Sequence, residues 1–214
     1  MALTKFPPLY PILDVEFLPP VAERRHEFLS QLVQSLTEAG VEILQYRNKQ
    51  GSQSQILRDA EYLRAAAPPH LKLILNDFPH LSARARFDGV HLGQLDTSPQ
   101  NARTLLGGGT IVGLSTHNEA QLRAADLEPV DYIAIGPVFA TSSKRNPDPV
   151  VGLDGVRLAR RLTKKSLVAI GGITLENAPL VWAAGVDSMA VISAIFSAGE
   201  DPAKLAGDFL RIFR

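Results

Sequence analysis

Cysteine is absent from this 214-residue chain, which excludes disulfide scaffolds, thiolate metal sites and cysteine nucleophiles, and fits a reducing compartment. Net charge is absent too. Lys and Arg number 22 against 22 Asp and Glu, so no global field gathers nucleic acid or anionic lipid, and any bound anion must be held by a local cluster. No apolar run reaches the length of about 18 residues that a membrane helix needs, and residues 1–8 show no basic start followed by an apolar stretch. The expectation is a cytoplasmic protein with neither a membrane nor a nucleic-acid partner. What is present is an ordinary globular composition, 45% hydrophobic and 21% charged, which suits one core in one domain over residues 1–214.

Short apolar runs at 9–13, 43–46, 71–75, 89–92, 110–114, 132–135, 167–170 and 188–191 alternate with amphipathic stretches at 22–39, 54–67, 79–86, 99–106, 118–125, 153–163, 176–184 and 202–213. Alternation of this kind predicts repeated βα units on a parallel sheet, and eight such pairs close a (β/α)8 barrel. A doubly wound open sheet usually carries a glycine-rich phosphate turn after its first strand, and residues 14–20 carry none. The three glycines at 107–109 are few enough for a helix-to-strand turn. The one long irregular stretch, 137–152, reads as functional or mobile.

In a barrel the active site is built from the loops after the strands, so polar residues that follow apolar runs are the candidates. After the second run come Gln45, Tyr46, Arg47, Asn48 and Lys49. Alternate residues of an extended end project the same way, which places an amide, a guanidinium and an ammonium on one side, suited to an anion such as a diphosphate. The third run ends in Asn76-Asp77 and the fourth continues to Asp96. Two carboxylates on one rim beside a diphosphate make an oxygen site for Mg²⁺. Read singly, each Asp also stands where a helix N-cap would stand. His91 reads as a packed structural residue. Ser115, two residues before His117, reads as a polar contact to substrate, because no Gly-x-Ser-x-Gly elbow surrounds it. The hydroxyls of Thr141, Ser142 and Ser143 with Lys144 form a candidate anion clamp able to close over substrate. Gly171-Gly172 after the seventh run and Ile192-Ser193 after the eighth occupy the loops where many barrels hold a phosphate on backbone amides.

Taken in this order, Gln45-x-Arg47-x-Lys49, Asn76-Asp77, Gly89-Val90-His91-Leu92-Gly93-Gln94-x-Asp96, Gly113-x-Ser115-x-His117, Gly136-Pro137-x-Phe139, Lys144, Gly171-Gly172-Ile173 and Ser193-Ala194-Ile195 resemble the thiamine phosphate synthase family over nearly the whole chain. The resemblance implies a transferase that joins hydroxymethylpyrimidine diphosphate to thiazole phosphate. It implies too that diphosphate leaves first and that the thiazole nitrogen captures the pyrimidine cation. It implies that Gln45, Arg47, Lys49, Asn76, Ser115 and Lys144 hold the pyrimidine diphosphate, and that Asp77 and Asp96 bind Mg²⁺. The thiazole phosphate would meet Thr141, Ser142, Ser143, Gly172, Ile192 and Ser193. Tyr46 and Asn48 are assigned to substrate binding with the rest of their stretch, and Arg47, Lys49, Ser115 and Lys144 to catalysis. One departure is visible: the family's Thr-x-Thr-Lys is here Thr141-Ser142-Ser143-Lys144, which keeps the hydroxyl and loses a methyl. The alternatives are a thiazole tautomerase on the same barrel and a phosphate-binding barrel without activity. The diphosphate apparatus argues against both, and self-association into a homo-oligomer is left open.

Overall fold

A computed structural model describes residues 6–141, 148–197 and 199–213. Eight parallel strands pair in sequence order: β1 (Leu9–Asp14), β2 (Ile43–Arg47), β3 (Lys72–Asn76), β4 (Gly89–Leu92), β5 (Ile111–Thr116), β6 (Tyr132–Ile135), β7 (Ser166–Ile170) and β8 (Ser188–Val191). β8 returns to β1 through Leu9 opposite Met189, so the sheet is a closed barrel, as the alternating pattern predicts. Helices α1 (Ala22–Glu38), α2 (Gln53–Ala66), α3 (Pro79–Arg84), α4 (Pro99–Leu106), α5 (Glu119–Leu127), α6 (Gly152–Leu162) and α7 (Ala178–Ala183) cover the outside. After β8 come a one-turn helix α8 (Ser193–Phe196) and α9 (Pro202–Arg211), and a single 3-10 turn, Val15–Phe17, follows β1. The 3-10 turn and α8 were not anticipated, since each is too short to show a period.

The strands read as continuous apolar runs because both faces are buried. Their two-residue alternation sorts side chains into two cores. Inward residues Tyr10, Ile12, Ile43, Ile74, Ile111 and Tyr132 fill the barrel with Phe6 below them, whereas Leu9, Leu13, Leu44, Tyr46, Ile133 and Ile135 pack against the helices. Tyr132 has room inside because the residue beside it on β5 is glycine: a Cβ at Gly113 would lie 2.0 Å from Tyr132 Cζ.

One clasp occurs three times at the amino ends of the strands. Asp88, Asp131 and Asp187, each immediately before an even-numbered strand, accept the backbone N–H of Leu73, Val112 and Leu167 at 3.0, 2.8 and 2.8 Å. The same three carboxylates pair with Arg64 of α2, Arg103 of α4 and Arg160 of α6 at 3.0, 2.6 and 2.7 Å. Each arginine also donates to the carbonyl just past its own helix, at Ala67, Gly107 and Thr163, so helix end and strand start are fastened together. This end of the barrel is where such contacts serve stability, leaving the other end for chemistry.

Candidate active site

At the carboxyl ends of the strands lies a cavity of about 810 Å³, within the range of roughly 300–1,000 Å³ that small-molecule sites occupy. Gln45, Arg47 and Lys49 all line it, as the alternation of β2 predicts. Tyr46 and Asn48 do not, and their assignment to substrate binding is corrected. They lie on the opposite face of the strand, where Tyr46 donates to the buried Asp59 carboxylate at 2.6 Å and Asp59 pairs with Arg25 at 2.6 Å. Asn48 donates to the Tyr46 hydroxyl at 3.2 Å and accepts from the amides of Gln50 and Gly51 at 3.2 and 2.7 Å. Their work is to hold the turn that carries Lys49.

Both cations of this rim are matched by carboxylates. Arg47 pairs with Asp14, the buried last residue of β1, and Lys49 Nζ stands 3.1 Å from Asp77 Oδ2. Asp14 was not singled out from sequence. The signal was an acid at a strand end, but its pairing depends on the β1–β2 register that sets Asp14 opposite Arg47.

Asp77 and Asp96 meet at the rim, and neither caps a helix. The cap position of α3 is Phe78, which makes no side-chain bond, and α4 is capped by Ser98, whose Oγ accepts from Asn101 N at 3.3 Å. Asp96 instead accepts the amide of Gly93 at 2.7 Å. Asp77 sits at φ +70°, a left-handed conformation that Asp tolerates better than most residues and that clusters at functional sites. Burial pushes the Asp77 carboxyl up to about 6; Lys49 pulls it down and the neighbouring Asp96 pushes it further up. Beside it, the buried Asn76 Nδ2 has no hydrogen-bond partner among the described residues and lines the cavity.

Ser115 on β5 also faces the cavity, and a buried hydrogen-bonded chain runs from it across the barrel. Ser115 Oγ lies 2.8 Å from His91 Nε2, and His91 Nδ1 lies 2.8 Å from the Tyr132 hydroxyl. That hydroxyl lies 2.9 Å from the hydroxyl of Tyr10, to which Gln45 Nε2 donates at 2.9 Å. Burial lowers the His91 pKa to about 4 and holds both phenols above their ordinary range, so the ring is neutral and the phenols keep their protons. His91 is therefore packed and hydrogen-bonded, as its strand-end position predicts. His117 donates from Nδ1 to the Gly136 carbonyl at 2.6 Å and presents Nε2 at 3.5 Å to Asp148 across the cavity.

Thr141, Gly172, Ile192 and Ser193 line the opposite side. Gly172 has φ +64°, and a Cβ there would come 2.5 Å from the Ala140 carbonyl oxygen, so glycine is required for two reasons. Ser193 opens α8, in the position after the eighth strand where barrels place a short extra helix at a phosphate site. Ser142, Ser143 and Lys144 lie outside the described residues, as does the centre of the 137–152 stretch. The base of that stretch is tied down: Val138 N donates to Ile170 O at 2.9 Å, Phe139 N to Gly171 O at 3.0 Å and Val151 N to Pro137 O at 2.9 Å. Among the described residues no group of three or more His, Cys, Asp or Glu side chains could hold a metal.

Residues 15–195 match the family described as thiamine monophosphate synthase. A thiamine-phosphate synthase of Koribacter versatilis is 51% identical over 208 residues, covering 97% of this chain and 96% of that protein. The thiamine-phosphate synthase of Vibrio campbellii is 39% identical over 183 residues, covering 85% of this chain and 89% of that one. Among solved structures, a thiamine phosphate pyrophosphorylase from Pyrococcus furiosus superposes with a TM-score of 0.79 at 29% identity, covering 96% of this chain and 94% of that chain.

Proposed function

The chain belongs to the thiamine monophosphate synthase family and is a transferase that makes thiamine phosphate, and from that premise we propose how its cavity divides the work. Hydroxymethylpyrimidine diphosphate lies against β2 to β5, and thiazole phosphate lies against the loops after β7 and β8. The observation that carries this is the composition of the two sides. Arg47, Lys49, Asp77, Asp96 and the unpartnered Asn76 Nδ2 crowd one rim, while Gly172, Ile192 and Ser193 on the other bring no cation.

Departure of diphosphate needs charge neutralisation on its oxygens more than a strong base. Arg47 and Lys49 supply it by exchanging their carboxylate partners for phosphate oxygens, and Asn76 Nδ2 adds a donor that has no other partner among the described residues. Lys144, outside the described residues, completes this set in the family's pattern. Gln45 and Ser115 orient the same substrate. The carboxylates fit Mg²⁺, which takes one or two protein carboxylates and fills its remaining positions with phosphate oxygens and water. Asp77 and Asp96 would hold the ion, whose charge would offset that of the leaving diphosphate. Apolar walls at Ile12, Ile170, Ile173 and Ile192 exclude water from the cation formed when diphosphate leaves. A cytoplasmic setting is part of the same reading, supported by the cysteine-free composition. Among the described residues no helix is long and apolar enough to cross a membrane.

The test is incubation of the purified protein with both substrates and Mg²⁺. Thiamine phosphate and diphosphate should appear in equal amounts. Proton exchange on the thiazole phosphate with no condensation would favour the tautomerase instead.

A further inference from the structure

We propose that Gln45, Tyr10, Tyr132 and His91 form a one-way hydrogen-bond relay through the barrel core that fixes the Ser115 hydroxyl as a donor toward an anionic oxygen of the pyrimidine substrate. The proposal rests on the substrate placement above only in its last step. The direction of the chain follows from the chemistry of its atoms.

The relay starts at the side-chain amide of Gln45, oriented with its nitrogen toward Tyr10. The amide nitrogen of Gln45 carries hydrogens and no available lone pair, so at 2.9 Å the Tyr10 oxygen must accept from it. Tyr10 has one hydrogen of its own, and the partner within reach is the Tyr132 oxygen at 2.9 Å. Tyr132 therefore accepts from Tyr10 and turns its single hydrogen to His91 Nδ1 at 2.8 Å. A neutral imidazole has one N–H. With Nδ1 accepting, that hydrogen sits on Nε2 and is donated to Ser115 Oγ at 2.8 Å. A Ser115 lone pair is thus taken up by the ring, and its hydrogen is released toward the cavity that Ser115 lines.

The reverse direction is penalised at both ends. With the Gln45 nitrogen toward Tyr10, a Tyr132 that donated to Tyr10 would leave the Tyr10 hydrogen without an acceptor among the described residues in a fully buried place, which is costly. Ser115 would then give its hydrogen to His91 and offer the cavity only lone pairs, which repel a phosphate oxygen. A doubly protonated ring is disfavoured as well, since the buried His91 ring bonds to the hydroxyls of Tyr132 and Ser115 and, among the described residues, to no carboxylate that would offset a second proton. Strand register places the parts: His91 pairs with Gly113 and Gly113 with Tyr132, so β4, β5 and β6 bring the histidine and the phenol into one layer, with only the hydrogen of Gly113 between them. Tyr10, Tyr132 and His91 are positioning residues: they act on the substrate through Ser115.

The relay can be read without substrate. Long-range proton–nitrogen spectra of ring-labelled, ligand-free protein, with the His91→Gln variant for assignment, should show His91 as a neutral ring protonated at Nε2 and bare at Nδ1 near neutral pH. A proton on Nδ1, or on both nitrogens, overturns the relay whatever the enzyme's activity proves to be. A second arm follows the relay to the substrate. Tyr132→Phe removes one hydroxyl, so His91 should begin to populate the form protonated at Nδ1. The KM for hydroxymethylpyrimidine diphosphate should rise about tenfold, the size of one hydrogen bond to a charged group, with the KM for thiazole phosphate unchanged. If neither KM moves, or both rise together, the relay does not orient the substrate. A wild-type protein that fails to condense the two substrates would instead count against the functional reading and leave the tautomer result standing.

Discussion

Gly113 on β5 stands so close beneath the ring of Tyr132 on β6 that a methyl group at position 113 would lie 2.0 Å from Tyr132 Cζ and 2.4 Å from its hydroxyl oxygen. The clash falls on a fully buried ring, itself stacked over His91 at 5.5 Å and tilted against Phe6 at 4.7 Å, so the ring has no open side to move into. Gly113→Ala should therefore cost about 1–3 kcal/mol, the usual range for overpacking a well-filled core. It should also weaken binding of the pyrimidine substrate, because Tyr132 would leave its place between Tyr10 and His91. Denaturant unfolding and steady-state kinetics on the same variant check both halves, and wild-type stability would mean that the ring has room after all.

His91 couples stability to acidity. Its folded-state pKa of about 4 lies below the ordinary value of 6.5, so on acidification the unfolded chain binds the proton first. The contribution is complete above about pH 6.5 and is lost as pH falls toward 4, to a total of about 3 kcal/mol at most. Unfolding measured in steps from pH 7 to pH 4.5 should show this slope in the wild type and a shallower one in His91→Gln. Parallel curves for the two proteins would mean that the ring takes up its proton in the folded state without cost.

The clasps at the amino ends predict the opposite separation of stability from activity. Asp131→Ala removes the acceptor of Val112 N and the partner of Arg103 together. Leaving that buried amide unsatisfied should cost about 1–3 kcal/mol, while KM and turnover at a temperature well below the transition stay at wild-type values, since the substitution lies at the far end of the barrel from the cavity. A change in either kinetic constant under those conditions would show that the two ends are coupled.

Asp77 carries its charge at a cost to the fold, because partial burial raises its pKa to about 6. Asp77→Asn keeps the shape and tolerates the same backbone, so it isolates the charge. The expected outcome is equal or higher stability with turnover reduced by at least about a hundredfold, the scale on which a positioned charge acts in a transition state. A drop in melting temperature with turnover preserved would make Asp77 a structural residue.

The barrel was legible because each strand is buried on both faces and so appears as an unbroken apolar run, and because eight such runs alternate with amphipathic stretches. The candidate rim was legible from strand alternation: at the end of β2 every second residue, Gln45, Arg47 and Lys49, faces the mouth of the barrel. What misled was treating 45–49 as one block, when alternation sends Tyr46 and Asn48 to the helix side and leaves only Gln45, Arg47 and Lys49 facing inward. What stayed hidden depends on register. Tyr10 and Tyr132 sit inside apolar runs and read as core, and the value of Gly113 appears only once β4, β5 and β6 are aligned. Asp14 could be seen as an acid at a strand end, but its pairing with Arg47 requires knowing that β1 and β2 are neighbours.

Gly172 should separate the two substrates. It follows β7, across the barrel from the Arg47 and Lys49 rim, and its positive φ of +64° disfavours any residue with a Cβ. A Cβ would in addition press on the Ala140 carbonyl oxygen at 2.5 Å and on Phe139 Cβ at 2.8 Å, backbone and side chain that are themselves held by the bond from Phe139 N to Gly171 O. Neither contact can yield cheaply, so Gly172→Val must shift the loop after β7, the wall on which the thiazole phosphate is placed. In the proposed arrangement the pyrimidine diphosphate lies on β2 to β5, strands that the shift should not reach. In titrations of each ligand alone, affinity for thiazole phosphate should fall by about tenfold or more, the loss of one or two well-placed phosphate contacts, while affinity for the pyrimidine diphosphate stays near the wild-type value. Equal weakening of both would mean that the cavity is one shared site rather than two facing halves, and the division of labour between the rims would have to be abandoned.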